Sequence, residues 1–261
     1  MILRDGTCAR LSGAGPALIL LHGVGLNQSI WTEQVKAFVH SHQVITYDLL
    51  GHGRSAAVPE NARLGNWVNQ FENLVEELKL ERFSLVGFSF GGMIAQAYTS
   101  KHSDRIEKLV LMSTVYDRNE QERAGVLTRL EVAQREGPRA IIAAALSRWF
   151  SAEFAAEYPV VMQSYERMLR NNDLASFLAA YNCFVTGDKQ LADMVSGISC
   201  PTLVMTGELD SGSTPDMARR LAATIPSARC ILIPQARHMM PVERPDEVNS
   251  VLRHFLNGGS P

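Results

Sequence analysis

A chain of 261 residues, 46% apolar and 20% charged, has material for a substantial core and too much apolar content for a disordered polymer. Its 25 basic residues stand against 27 acidic ones, without a cationic stripe that would neutralise phosphates or dock on an anionic bilayer, so neither nucleic acid nor membrane is expected as a partner. The opening MILRDGTCAR has no apolar signal core and the longest apolar run, residues 140–146, is far shorter than a membrane span; a cytoplasmic protein is expected. Cys8, Cys183, Cys200 and Cys230 are scattered with no C-x-x-C pair, which reads as small buried hydrophobes and implies no disulfide framework and no metal site.

In chain order, the first strong element is residues 17–21, ALILL, apolar at every position. VITY (44–47) follows, and the same texture returns in FSLV (83–86), LVLM (109–112), TLVM (202–205) and CILI (230–233). Strands without polar alternation belong in a sheet covered by helices on both faces, which implies parallel pairing with right-handed crossovers. The spacing of Trp67, Phe71, Leu74, Val75 and Leu78 predicts a helix over residues 64–80.

Between the strand at 83–86 and a helix expected over 92–101 lies Gly87-Phe88-Ser89-Phe90-Gly91. Glycines on both sides of a serine at a strand-to-helix turn are the pattern of a nucleophile elbow, in which a strained backbone exposes the serine Oγ. The helix beginning there adds free amides that favour a developing negative charge. Ser89 is therefore the candidate nucleophile.

After residue 115 the alternation stops. Residues 116–196 hold only helix-favouring stretches, at 123–135, 139–149, 160–169 and 175–183, and read as a separate helical subdomain. Ser196-Gly197 and Cys200-Pro201 mark its end, so residues 1–115 and 197–261 are expected to form one α/β unit around it. Asp210 lies directly after the run at 202–205, and Ser213-Thr214-Pro215 opens a helix over 215–223 with a cap and a first-turn proline. His238 sits in the loop after the run at 230–233, where it can reach the carboxyl edge of the sheet. A serine needs a base and the base an orienting acid, and His238 and Asp210 are the candidates.

The chain resembles the α/β-hydrolase superfamily over nearly its whole length, and within it the 3-oxoadipate enol-lactonase and meta-cleavage-product hydrolase types. The order Ser89, Asp210, His238 is that family's triad order. His22-Gly23-Val24-Gly25 is similar to its oxyanion loop, Asp48-Leu49-Leu50-Gly51-His52-Gly53-Arg54-Ser55 to its D-x-x-G-x-G-x-S loop, and His238 with Glu243 and Pro245 to its H-x-x-x-x-E-x-P ending. The resemblance implies an eight-stranded, mostly parallel sheet with its first two strands in residues 2–11, and it makes 116–196 a cap over the active site. It also implies that His22, His52 and Asp48 organise loops, and that the amides of Val24 and Phe90 hold the oxyanion. No cofactor is implied.

For the substrate, Arg148-Trp149 and the pair Arg167 and Arg170 suggest a carboxylate clamp beside an aromatic wall, with Gly25 and Met239 also expected to line the site. Hydrolysis of an ester or enol-lactone of a small, carboxylate-bearing molecule is the favoured reading. C–C bond hydrolysis is disfavoured because Phe88 precedes the serine and Met239 follows the histidine, where such enzymes carry asparagine and tryptophan. A ligand receptor on the same fold, or a homo-oligomer, is not excluded by the sequence.

Overall fold

The computed structural model describes residues 1–59 and 61–258. Strands β1 (Ala9–Ser12), β2 (Ala17–Leu21), β3 (Gln43–Tyr47), β4 (Phe83–Phe88), β5 (Ile106–Met112), β6 (Thr202–Gly207) and β7 (Ala228–Ile233) form one sheet in the order β1-β3-β2-β4-β5-β6-β7. Only β1 runs antiparallel to its neighbour, pairing Ala9 with Tyr47. β2, β4 and β6 are buried at every position, as strands without polar alternation are when helices cover both faces.

The expected eighth strand is absent among the described residues. Ile2 meets Cys8 in one isolated antiparallel bridge, because residues 3–7 are spent on a tight turn. Leu3 N–H donates to the Thr7 carbonyl at 2.9 Å and Gly6 N–H to the Leu3 carbonyl at 3.0 Å, with Gly6 at φ +84°. These are backbone groups that a longer hairpin would have offered to a ladder.

The helices are α1 (Thr32–Phe38), α2 (Leu64–Glu77), α3 (Phe90–Thr99), then α4 (Glu120–Glu136), α5 (Ile142–Trp149), α6 (Ala152–Glu157), α7 (Pro159–Arg170), α8 (Leu174–Thr186) and α9 (Asp188–Ala192) between β5 and β6, and finally α10 (Pro215–Thr224), α11 (Met240–Glu243) and α12 (Pro245–Leu256). One sheet face packs on α2, α3 and α10 through residues such as Trp67, Phe71, Met93, Tyr98 and Leu221, and the other on α1 and α12 through Phe38, Val248 and Leu252. The cap and first-turn proline read at Thr214-Pro215 are present, with Thr214 Oγ1 accepting from Met217 N–H.

The run of six helices differs from a separate subdomain. It has a small cluster of its own around Val126, Leu130, Phe177 and Tyr181, but Ile142, Leu146, Tyr165 and Leu169 belong to one sheet core and Ala180, Cys183 and Leu191 to the other. It is packed onto both cores, so its position over the sheet is held by shared apolar burial.

A buried ion cluster ties its two ends together. Asp188, fully buried, accepts from the Arg118 backbone N–H at 2.9 Å, from Arg118 Nη1 at 3.2 Å and from Arg123 Nη1 and Nη2 at 3.1 and 2.9 Å. Burial alone would raise the Asp188 pKa, but the hydrogen bonds from Arg123 and the charge of Arg118 outweigh it, and the group lies below the usual carboxylate value. Removing the anion leaves two guanidiniums facing each other in a poorly solvated place. Asp188→Ala should cost about 3–5 kcal/mol, read as a fall in the free energy of urea unfolding.

Candidate active site

The carboxyl edge of the sheet opens where its strand order reverses: after β2 the chain turns to one side to form β3, and β4 is laid on the other side of β2. The loops that follow β2 and β4 therefore diverge and leave a crevice between them. The first carries His22-Gly23-Val24-Gly25 and the second carries Ser89.

Ser89 stands between β4 and α3 with φ 54° and ψ −115°, a conformation costly for a residue with a Cβ. Its surroundings hold it there. Ser89 N–H donates to the Met112 carbonyl at 2.9 Å, and its own carbonyl accepts from Thr114 Oγ1 at 2.8 Å and Gly92 N–H at 3.0 Å. The turn also demands glycine on either side. A Cβ on Gly87 would lie 2.5 Å from the Gly91 carbonyl oxygen, and one on Gly91 would lie 2.6 Å from the carbonyl oxygens of Leu21 and His22.

His238 Nδ1–H donates to Asp210 Oδ2 at 2.7 Å, which leaves Nε2 of the neutral ring as an acceptor. The second Asp210 oxygen takes the amides of Gly212 at 2.8 Å and Ser213 at 2.9 Å, so the carboxylate cannot rotate away. Phe88 and Trp149 flank the imidazole, with ring centroids 5.0 and 5.9 Å from it. Glu243 secures the histidine loop by accepting from Arg237 N–H at 3.3 Å and from Ser151 N–H at 3.0 Å, the latter in the helical insertion. Ser89, Asp210 and His238 line one pocket together with Val24, Arg148 and Trp149.

Gly91 N–H donates to the His22 carbonyl at 3.1 Å and Gly25 N–H to His52 Nε2 at 2.9 Å. The neighbouring amides of Val24 and Phe90 have no acceptor among the described residues. Other expected residues fall elsewhere. Gly25 docks the insertion: a Cβ there would lie 2.8 Å from Leu169 and 2.9 Å from Phe177, and its carbonyl accepts from Asn172 at 2.8 Å. Met239 is fully buried, its N–H donating to the Trp149 carbonyl at 3.0 Å, and it serves as packing and anchorage.

Arg167 and Arg170 do not reach the pocket. They lie on the exposed side of α7, where Arg170 pairs with Glu166 at 2.7 Å, because the helix turns Tyr165 and Leu169 inward at four-residue spacing. Of the expected arginines only Arg148 lines the pocket.

With this geometry in view, comparisons with known proteins decide the family. A sequence profile described as the alpha/beta hydrolase family matches residues 18–251. The chain belongs to the alpha/beta hydrolase family. It is similar to an (E)-2-((N-methylformamido)methylene)succinate hydrolase of Acinetobacter baylyi, with 31% identity over 94% of this chain and 91% of the relative. A 3-oxoadipate enol-lactonase of the same organism is 24% identical over 92% and 88% of the two chains. Among solved structures, the enol-lactonase from Burkholderia xenovorans LB400 superposes with TM-score 0.87 at 30% identity, covering 96% of each chain. A malate-bound thermophilic esterase from Thermogutta terrifontis follows with TM-score 0.86 at 28% identity, covering 96% of this chain and 93% of its own.

Two charged pocket residues of this alpha/beta hydrolase carry no motif in the sequence. Arg118 lies just after β5, and Arg129 sits on α4 beside the apolar stripe of Val126, Leu130 and Ala133; both line the pocket. The one available signal was an arginine three residues from Val126 on an otherwise apolar helix face.

His22 and His52 prove to be neutral cross-links between loops. Leu49 N–H donates to His22 Nε2 at 2.9 Å while Nδ1 donates to the Gly23 carbonyl at 2.8 Å, and His52 Nδ1 donates to the Leu50 carbonyl at 3.0 Å while Nε2 accepts from Gly25. Asp48 ties its loop through the amides of Gln28 and Arg54, both at 2.9 Å. Burial, with His52 adding repulsion, lowers His22 well below the usual histidine pKa; burial lowers His52 to about 4, outweighing the Leu50 carbonyl and Asp48. The unfolded chain takes up protons near pH 6.5 that the folded one refuses, so the contribution of His52 is full above that pH and is lost as the pH falls towards 4, and that of His22 changes in the same direction. His52→Gln retains an acceptor and does not titrate. Compared with it, wild type should lose about 3 kcal/mol more unfolding free energy between neutral pH and pH about 4, measured by urea titration at each pH.

Proposed function

We propose that this enzyme hydrolyses an ester or enol-lactone of a small, carboxylate-bearing molecule through an acyl-enzyme on Ser89. The observation that carries the reading is the opening of the strained Ser89 and the His238–Asp210 pair onto one pocket, with Arg148 in its wall. The enol-lactonases among the relatives support the bond type, and the relative named for a succinate derivative supports the carboxylate.

His238 Nε2 takes the Ser89 Oγ proton as Oγ attacks the acyl carbonyl, and Asp210 steadies the imidazolium through Nδ1. The amides of Val24 and Phe90, which have no acceptor among the described residues, receive the oxyanion. Collapse of the tetrahedral intermediate breaks the C–O bond, and His238 returns the proton to the leaving oxygen. Water, deprotonated by His238, then attacks the acyl carbon and frees Ser89. Residues 116–196 act as the cap: Trp149 covers the imidazole face and Arg148 holds a carboxylate remote from the scissile bond.

Ser89→Ala should lower kcat on an aryl ester by roughly a thousandfold or more with little change in thermal stability, and Asp210→Asn by a similar factor because His238 loses its tautomer. An organophosphonate should label Ser89 alone; label on another residue would overturn the assignment. Trp149→Ala should raise KM for a carboxylate-bearing ester more than for a small aryl acetate, since the acetate does not extend to the cap.

A further inference from the structure

The Ser89 carbonyl oxygen carries more than a helix start requires. It accepts from Gly92 N–H at 3.0 Å and Met93 N–H at 3.3 Å, the opening bonds of α3, and a third time from Thr114 Oγ1 at 2.8 Å, the shortest of the three. Thr114 comes from another part of the sheet, just after β5, where Ser113 at φ 44° takes the chain out of extended geometry. Its side chain is seated against the elbow: a Cβ on Gly92 would lie 2.4 Å from both Cβ and Oγ1 of Thr114.

The hydroxyl is not free to rotate. Thr114 is buried, and Gln96, fully buried on α3, donates from Nε2 to Thr114 Oγ1 and to the Val115 carbonyl, both at 3.3 Å. A hydroxyl has a single proton. With Gln96 donating to its oxygen, Thr114 directs that proton to the Ser89 carbonyl. A peptide unit is planar, and among the described residues every one is trans, so the carbonyl of Ser89 and the N–H of Phe90 point in opposite directions from one rigid plate. Fixing the oxygen fixes the hydrogen. A carbonyl that accepts hydrogen bonds also polarises its peptide, which makes the N–H at the other end a stronger donor.

Packing against Gly92 calls for the shape of threonine, which valine shares, and the start of α3 is already supplied by two amides. The hydroxyl answers to neither. We infer that Thr114, oriented by Gln96, is a positioning residue for the oxyanion: it aims and polarises the Phe90 amide through the Ser89–Phe90 peptide without touching the substrate. The inference rests on the proposed acyl-enzyme at Ser89, with Phe90 N–H as an oxyanion donor.

Thr114→Val keeps the shape and removes the proton. It strands no buried group, because the Ser89 carbonyl keeps two amides and Gln96 keeps the Val115 carbonyl, so the variant should fold. On an aryl ester it should lower kcat about tenfold, short of the roughly hundredfold or more that follows outright loss of an oxyanion donor, with KM and the midpoint of the kcat/KM pH profile unchanged. Thr114→Ser should recover most of the loss. A trifluoromethyl ketone, which forms a tetrahedral oxyanion adduct with a nucleophilic serine, should bind Thr114→Val about tenfold more weakly, while the corresponding methyl ketone, bound as the carbonyl, should stay within about twofold of wild type. Gln96→Met frees the hydroxyl rotor and leaves Thr114 in place; it should lower kcat about threefold and carries the test if Thr114→Val does not fold. An unchanged kcat, equal weakening of both ketones, or a Thr114→Ser variant as impaired as Thr114→Val would overturn the inference. Phosphonate labelling of wild type separates this failure from that of the reading beneath it: label away from Ser89 sinks the acyl-enzyme, whereas label on Ser89 with an unchanged kcat in Thr114→Val sinks the positioning role alone.

Discussion

The turn at Ser89 is the constraint around which the molecule is arranged. A residue with a side chain is held at positive φ because its amide and carbonyl are both engaged and because α3 packs within glycine distance of β4 and β2. The glycine at 91 lets the helix start against the backbone of His22, so the loop after β2 and the loop after β4 share a hydrogen bond. One backbone decision thereby sets two loops. The amides of Val24 and Phe90 beside it have no acceptor among the described residues, and in the proposed mechanism they receive the oxyanion.

Holding those loops without charge is the task of two histidines. His22 and His52 each bridge two backbone groups across the loops at 22–25 and 48–55, and burial keeps both neutral. A cation at either position would add its own field beside the proposed oxyanion site and would lose the acceptor nitrogen that Leu49 or Gly25 requires. Asp48 completes the arrangement with two backbone amides and the close approach of Gly53. On the opposite wall, Glu243 does for the histidine loop what these residues do for the oxyanion loop, and it reaches into the helical insertion while doing so.

The insertion is bound to the catalytic core by apolar burial on both sheet faces, by the Arg118–Asp188–Arg123 cluster and by the contacts of Gly25 and Trp149. This makes the pocket a joint product of sheet and insertion, with Ser89, Asp210 and His238 supplied by the loops and Arg129 and Arg148 by the helices. Arg118 spends one nitrogen on holding the insertion shut at its base while bordering the pocket, so anchorage and the electrostatics of the ligand space are coupled through one side chain.

Much of this protein was legible in the sequence because it depends on local rules. Strands apolar on both faces specify a covered parallel sheet, paired glycines around Ser89 specify a tight strand-to-helix turn, and Thr214-Pro215 specifies a helix start; each depends on neighbours in the chain. Ser89, Asp210 and His238 could be singled out because each follows a strand, and strand ends in such a sheet converge on one edge. Which arginines line the pocket could not be read in that way. Arg148, Arg167 and Arg170 look alike in one dimension, and only the rotation of α5 and α7 against the sheet turns the first inward and the other two to solvent. Arg118 could not be singled out because its partner, Asp188, lies far along the chain. The missing N-terminal strand has a similar cause: the family resemblance implied two strands in residues 2–11, but a tight turn at 3–7 uses up the backbone groups first. Sequence determined the elements and singled out the candidate reacting groups. Tertiary packing decided the charge of the pocket, because side-chain direction and long-range pairing exist only once the helices are seated on the sheet.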